Sequence, residues 1–521
     1  MGSAMSHVPS NILSQRMGGV LLHLTSLPGP HGSGDMGVNA YHFVDWLASA
    51  GQRLWQILPL SPVGSGNSPY HSASSFAGNP LLVDLDDLVQ CGWLLAQPQP
   101  DFATEYCDFD RVAPYRMARL QAAWQGFLQV ASASEQTEFS LFCTLQAHWL
   151  EDYALFMALE SEYGKSWTQW PEPLRRRDGP ALAHFGRDMA DALGFFRFVQ
   201  WRFHLQWQRL LAYAHSRGIS IIGDAPIFVA HHSADVWAGA ALYQLDESDQ
   251  PTVVAGVPPD YFSSTGQRWG NPLYRWEVMQ STGFVWWKAR LGHLLGMVDV
   301  VRLDHFRGFE SYWEIPAHEP TAIAGCWKKG PGKVLFDALA ADVNGARGRV
   351  PLPIIAEDLG LITEEVTALR RACGFPGMRV LQFAFGDTPD NPYLPHNYDA
   401  LTVAYTGTHD NDTSVGWWQK ASASERRAAR NYLGPQADTE IHWAMMRALS
   451  QSLANTVIFP FQDVLGLDSA HRMNTPGLAQ GCWQWRFDWG QVQSEPAQRL
   501  ADMTGAHGRN VFSAQFGTPS V

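Results

Sequence analysis

Eight short apolar runs, rich in β-branched residues, punctuate the chain, and each ends in polar, glycine or proline residues. They lie at 19–27 (GVLLHLTSL), 53–60 (RLWQILPL), 220–229 (SIIGDAPIFV), 298–304 (VDVVRLD), 353–357 (PIIAE), 378–385 (MRVLQFAF), 401–408 (LTVAYTGT) and 455–462 (NTVIFPFQ). Helical patterns fall between several of them, at 40–50, 196–217, 363–373 and 424–433. Strands alternating with helices imply βα units on a parallel sheet. Eight such strands predict a closed α/β architecture, the (β/α)8 or TIM barrel.

The gaps between the runs are uneven. Roughly 160 residues separate the second and third runs, far more than one crossover helix needs. Helical patterns at 113–129 and 138–161, and a Trp/Pro/Arg-rich link at 167–177, predict a mainly helical subdomain inserted at 61–199. The stretch 230–287 is rich in Gly, Pro and aromatic residues and reads as a loop-rich insertion over the barrel mouth. The barrel itself then spans 15–60 and 200–515. No internal repeat or low-complexity segment interrupts this plan.

Composition narrows the function. With 17% charged and 46% hydrophobic residues the chain reads as soluble and globular. A formal net charge of −13, without a Lys/Arg-rich run, argues against nucleic acid or an anionic membrane as partner. No run of about 18 apolar residues occurs, and no basic segment leads into an apolar one. The six cysteines are scattered without a CxxC pair, as reduced structural thiols would be. Together these features predict a cytoplasmic protein. The 22 Trp, 27 Phe and 15 Tyr are expected mostly in the core, with a few lining a cleft for flat, weakly polar faces such as sugar rings.

Acidic residues close several of the predicted strands: Asp224, Asp304, Glu357 and Asp410. Catalytic groups of such barrels sit at the carboxyl ends of the strands, so the fourth, fifth and seventh runs deliver Asp304, Glu357 and Asp410 to one rim. Side chains alternate along a strand, which puts Arg302 and Asp304 on one face. Arg302 is thereby placed to hold Asp304 ionised through charge-assisted hydrogen bonds, the state a nucleophile requires. Glu357 ends an apolar strand, where partial burial favours its protonated form and a general-acid role. One protonated and one ionised carboxyl is the division of labour of glycoside cleavage. Asp410, beside His409, is positioned to stabilise positive charge on a sugar or to grip its hydroxyls. Asp358 and Asp412 read instead as helix N-caps.

Other signals lead nowhere. Residues 32–37 (GSGDMG) match a dinucleotide fingerprint in form, but no Asp or Glu occurs between Trp46 and Val83 to hold a ribose. Gly164-Lys165-Ser166 has Leu159 where a phosphate-binding loop needs glycine. No HExxH or Cys/His cluster suggests a metal, and His231-His232 reads as a loop pair.

Longer strings carry a resemblance. They are HLTSLPG (23–29), SPYHSASSFAGNPLLVDL (68–85), IIGDAPIFVAHHSADVW (221–237), VAGVPPDYFSSTGQRWGNPLYRW (254–276), VRLDHFRGFESYWEIPA (301–317), AEDLG (356–360), YTGTHDNDT (405–413) and QDVLGLDSAHRMNTPG (462–477). Collinear from about residue 19 to 487, they resemble the amylomaltases, the 4-α-glucanotransferases of glycoside hydrolase family 77 in the α-amylase clan. The resemblance implies Asp304 as nucleophile, Glu357 as general acid/base and Asp410 as transition-state stabiliser. It implies that Arg302 supports the nucleophile, and that Tyr70, Asp224 and His409 hold the sugar at the cleavage point. Gln267 and Trp269 would cover acceptor or neighbouring subsites, with Asn271 nearby. The implied substrates are maltooligosaccharides and α-1,4-glucans, with no obligate protein partner.

The implied chemistry is a retaining double displacement, which requires the two carboxyls about 5–5.5 Å apart and no metal or organic cofactor. Two departures stand out: Gly64-Ser65-Gly66-Asn67 replaces the family's Gly-Tyr-Gly-Asp, and Cys482 stands where asparagine is commoner. From the residues alone only a retaining α-glucosidic enzyme follows; the resemblance favours transfer over an α-amylase-like hydrolase. An idle glucan-binding scaffold on the same barrel would not need its carboxylates intact.

Overall fold

The computed structural model describes residues 12–259, 263–344, 351–386, 388–478 and 480–510. Residues 260–262 of the 254–276 motif and the end of the expected barrel, 511–515, lie outside them. Strands form in the order β1 (Met17–Leu21), β2 (Leu54–Gln56), β3 (Ser220–Pro226), β4 (Val253–Val257), β5 (Gln267–Pro272) and β6 (Val300–Asp304). β7 (Ser311–Pro316), β8 (Cys326–Lys329), β9 (Ile354–Ala356), β10 (Gly377–Val380), β11 (Thr402–Tyr405) and β12 (Thr456–Pro460) follow.

Eight of these close into a parallel barrel in the order β1-β12-β11-β10-β9-β6-β3-β2. Each comes from one of the eight apolar runs. Every residue of β1, β2, β9, β11 and β12 is buried, because helices outside and side chains inside cover both faces of a parallel sheet. The fold is the (β/α)8 TIM barrel.

Strand register decides where the polar groups meet. β3 pairs with β6 so that Asp224 lies level with Arg302 and Pro226 with Asp304. β6 pairs with β9 so that Leu303 lies level with Ala356, one residue before Glu357. Asp224, Arg302, Asp304 and Glu357 therefore arrive at one end of three adjacent strands.

The long stretch between β2 and β3 is mainly helical over its last two-thirds, from Phe109 onward. The 113–129 pattern forms Phe109–Val130, and the 138–161 pattern forms Ala133–Tyr163, started by a capping box of Ser132 and Glu135. This second helix ends at Gly164 with φ +57°, a left-handed cap that glycine adopts without strain. Gly164-Lys165-Ser166 is thus a helix terminus. Ala190–Ser216 packs along Ala133–Tyr163 and Phe109–Val130. Much of the aromatic content sits here: Trp93, Trp124, Phe127, Phe139, Phe198 and Trp201 meet ring to ring, with centroids 5.0 to 6.1 Å apart. Such pairs each add about 0.5–1.5 kcal/mol beyond their burial.

The stretch 230–287 carries strands as well as loops. It holds β4 and β5, which join β7 and β8 in a four-stranded antiparallel sheet of order β5-β4-β7-β8. Two expected helix caps are corrected. The helix Glu364–Cys373 has Thr363 at its N-cap position, and Ser414–Lys420 is capped by Thr413, whose side chain accepts from the Gly416 N–H. Asp358 is buried and instead accepts from the Met378 N–H and pairs with Arg370 and Arg379. Asp412 pairs with Lys420 and accepts from the Ser469 hydroxyl. No helix among the described residues is long and apolar enough to cross a membrane.

Candidate active site

Arg302 is the hub. Its Nη1 donates to both oxygens of Asp224, at 2.8 and 2.7 Å, and its Nη2 donates to Asp304 Oδ1 at 2.9 Å. The Tyr70 hydroxyl donates to Asp224 Oδ2 at 2.8 Å. Burial works against charge on the guanidinium, and Asp224 and Asp304 outweigh it, so the pKa of Arg302 is raised. Burial likewise pushes the Asp224 carboxyl up while Arg302 opposes it. The side chains of Arg302 and Asp224 are 4% and 0% exposed, against 31% for Asp304 and 44% for Asp410. Asp304 and Asp410 are therefore open to a ligand, as is the half-buried Glu357, whereas Asp224 lies behind them.

Glu357 follows β9 and turns back over β6. Its Oε2 accepts from the His305 N–H at 2.7 Å and its Oε1 from the Leu359 N–H at 2.8 Å. Burial, then the neighbouring charge of Asp304, pushes its carboxyl up to about 7, against Arg302 and the two N–H donors. A carboxyl that holds its proton near neutrality while its neighbour engages an arginine can protonate a leaving group.

Asp410 stands across the mouth in the segment after β11. Its Oδ1 accepts from Asn474 Nδ2 at 2.6 Å, and its backbone carbonyl from Arg472 at 2.9 Å. His409 lies beside it, Nε2 to Oδ1 3.5 Å. Tyr70 stacks on the His409 ring at 5.2 Å and 16°, and Trp483 packs against both. Tyr70 thus links Asp224 on one side of the mouth to His409 on the other.

The remaining expected residues lie on β5. Trp269 meets His305 edge to face at 4.9 Å and donates from Nε1 to Gln267 Oε1 at 3.1 Å. Asn271 is not drawn into the cluster. Its amide donates to the Val229 carbonyl at 2.9 Å, which tethers β5 to the segment after β3. Of the two departures, Cys482 is buried, with Sγ 3.4 Å from the Thr475 N–H, and so closes the turn before Trp483; the Ser65 side chain lies outside the described residues. Asn474, Trp483 and the backbone of His305 belong to the site without having been singled out, although the motif strings contain Asn474 and His305. Among the described residues no group of three or more His, Cys, Asp or Glu is arranged to hold a metal ion.

A parallel eight-stranded barrel with reachable acids, a buried arginine and a near-neutral glutamate at the carboxyl ends of its strands is the layout of a (β/α)8 enzyme with acid–base chemistry at its rim. The chain belongs to the family described as 4-alpha-glucanotransferase, which matches residues 22–492. A 4-alpha-glucanotransferase of Thermus thermophilus is 49% identical over 496 residues, 94% of this chain and 98% of that protein. One from a Synechocystis species is 46% identical over 507 residues, 96% and 99% of the two chains. An amylomaltase of Streptococcus agalactiae, solved in complex with acarbose, superposes with a TM-score of 0.91 at 37% identity, covering 95% of this chain and 100% of that one.

Proposed function

We propose that this enzyme cleaves α-1,4-glucans and passes the glucanosyl unit to the 4-hydroxyl of another glucan or of glucose, by a retaining double displacement. Glu357 protonates the glycosidic oxygen while an Asp304 oxygen attacks C1, so the C1–O bond to the leaving sugar breaks as a β-linked glucosyl ester forms. Glu357 then takes the proton of the acceptor 4-hydroxyl, which displaces Asp304 and restores the α-linkage. Asp410 stabilises the positive charge that builds on the sugar ring, and Tyr70, Asp224, Arg302 and His409 shape the pocket around it. Gln267 and Trp269 flank the acceptor side.

One observation carries the reading: Glu357, pushed up to about 7, stands next to an Asp304 engaged by Arg302. The shared description of the relatives as 4-alpha-glucanotransferases supports the substrate class. Purified enzyme given maltotriose is expected to release glucose and build a ladder of longer glucans. Reducing ends rising in step with maltotriose loss, with nothing longer formed, would make it a hydrolase.

The Asn474 amide holds Asp410 by one short hydrogen bond. Asn474→Ala is expected to lower kcat by about 10- to 100-fold, the cost of a misaligned charge-stabilising group, with a smaller change in KM. Steady-state kinetics on maltotriose check this; a change confined to KM would make Asn474 a ground-state binding residue.

A further inference from the structure

Asp463 is fully buried and takes no part in the bond-breaking steps. It sits on the short helix Phe461–Val464, which begins where β12 ends. Its Oδ1 accepts from the Ser414 N–H at 2.6 Å, and its Oδ2 accepts from the Ser414 and Thr406 hydroxyls at 2.7 and 2.5 Å. Thr406 and Ser414 are themselves buried. Burial pushes the Asp463 carboxyl up, and the hydrogen bonds from Thr406 and Ser414 oppose it. The nearby cations Lys420 and Arg472 pair with Asp412 instead. A carboxylate kept in the interior on neutral donors is costly, so its bonds need a use.

Thr406 and Ser414 are the two ends of one segment. Thr406 follows β11, Ser414 opens the helix Ser414–Lys420, and the residues between them include His409 and Asp410. One carboxylate therefore closes the base of this segment. Its tip is held from the same side. Asp410 takes its side-chain bond from Asn474 and its backbone bond from Arg472, and both belong, with Asp463, to the stretch after β12. The Asp410 side chain is 44% exposed, so packing does not set its place. Its position comes from the backbone beneath it and from these bonds.

We infer that Asp463 is a positioning residue: by closing the base of segment 406–414 it sets where the Asp410 carboxylate stands against the sugar at the cleavage point. This rests on the charge-stabilising role proposed for Asp410. Such a group must be fixed before the charge develops, and a misplacement of about 1 Å can cost about 100-fold in rate. Asp463→Asn keeps the shape of the carboxylate and an oxygen for the Ser414 N–H. Its NH2 group faces two hydroxyls that had been donors and leaves their protons without an acceptor. The clamp loosens while the buried charge disappears.

The test compares wild type, Asp463→Asn, Thr406→Val, Ser414→Ala, Asn474→Ala and the Asp463→Asn/Asn474→Ala double variant. Each is assayed on maltotriose and on α-maltosyl fluoride, and its unfolding midpoint is read by circular dichroism. In Asp463→Asn, kcat on maltotriose is expected to fall about 30-fold, with KM within about twofold of wild type. Thr406→Val and Ser414→Ala each remove one hydroxyl and should lose about three- to tenfold. The loss in kcat/KM should be as large on α-maltosyl fluoride, whose fluoride departs without the proton of Glu357. The double variant should lose less than the product of the single losses, because both residues act through Asp410.

A lowered unfolding midpoint with wild-type kcat would make Asp463 a residue of the fold alone. A wild-type rate on α-maltosyl fluoride would send the defect through Glu357 and overturn the link to Asp410, as would multiplicative losses in the double variant. If Asp463→Asn does not fold, Thr406→Val and Ser414→Ala decide by the same comparisons. An Asp410→Asn enzyme with wild-type kcat would instead remove the role of Asp410 itself.

Discussion

Asp304→Asn is expected to lose glucan transfer and hydrolysis together, by about 10⁴-fold or more in kcat, while the barrel stays folded. The amide keeps the shape of the carboxylate, and its oxygen can still accept from Arg302 Nη2, as Asp304 Oδ1 does at 2.9 Å. What it lacks is a nucleophilic oxygen able to form the glucosyl ester. Folding survives because Arg302 retains both hydrogen bonds to the fully buried Asp224; no charge is left alone in the interior, the circumstance that makes half-broken buried pairs costly. A second effect identifies the cause. The charge of Asp304 is the largest contribution after burial to the raised pKa of Glu357, so the variant should lower that pKa toward the ordinary carboxylate range. Titration of Glu357 by ¹³C NMR reads the shift. An Asp304→Asn enzyme that still lengthens maltotriose at more than about 1% of the wild-type rate would remove Asp304 from the nucleophile role, since two decades is well short of the expected loss.

The barrel could be read from the chain because its strands are apolar on both faces, and such runs stand out without knowledge of their partners. The acids at their ends could be read for the same reason: a charge that closes an apolar run needs a partner or a use. Readability failed where structure depends on distant residues. β4 and β5 pair with each other and, through β4, with β7, about sixty residues on; β4 is buried along its middle and β5 is mostly open, and with a glycine in each neither carries a strong strand period. Asp358 and Asp412 follow a local rule, acid after strand as helix cap, that lost to Arg370 and Lys420 further along those same helices and to Arg379 and Arg472 from later in the chain. Asn474 has no local mark at all. Its role exists only because the segment after β12 returns to Asp410. The left-handed turn at His305, φ +51°, is equally silent in sequence, since histidine does not announce a positive φ as glycine does.

Glu357→Gln is expected to cost activity and to stabilise the protein, and the two effects have one origin. Activity should fall by about 10³- to 10⁴-fold, because an amide cannot donate the proton that the leaving sugar needs. Stability should rise only where the wild type suffers. The folded-state pKa of Glu357 is about 7 against an ordinary 4.5, so the folded protein binds this proton more tightly than the unfolded chain does. The associated stabilisation is fully present below about pH 4.5 and is lost as pH climbs through about 7. At pH 8 the wild type keeps an ionised carboxylate beside Asp304 at a cost of about 2 kcal/mol, once the carboxylate's partial access to water is discounted. Glutamine has no such charge, although its amide can accept from only one of the two N–H groups that Glu357 engages, a cost independent of pH. The denaturant midpoint of the variant should therefore gain on that of the wild type as pH rises from 5 to 8. The alkaline limb of wild-type kcat/KM should fall through the same pH range, since the proton lost from the folded enzyme is the one that the proposed first step uses. A stability gain equally large at pH 5 would trace the effect to packing around the amide, and would sever the link between the stability of this barrel and the proton on Glu357.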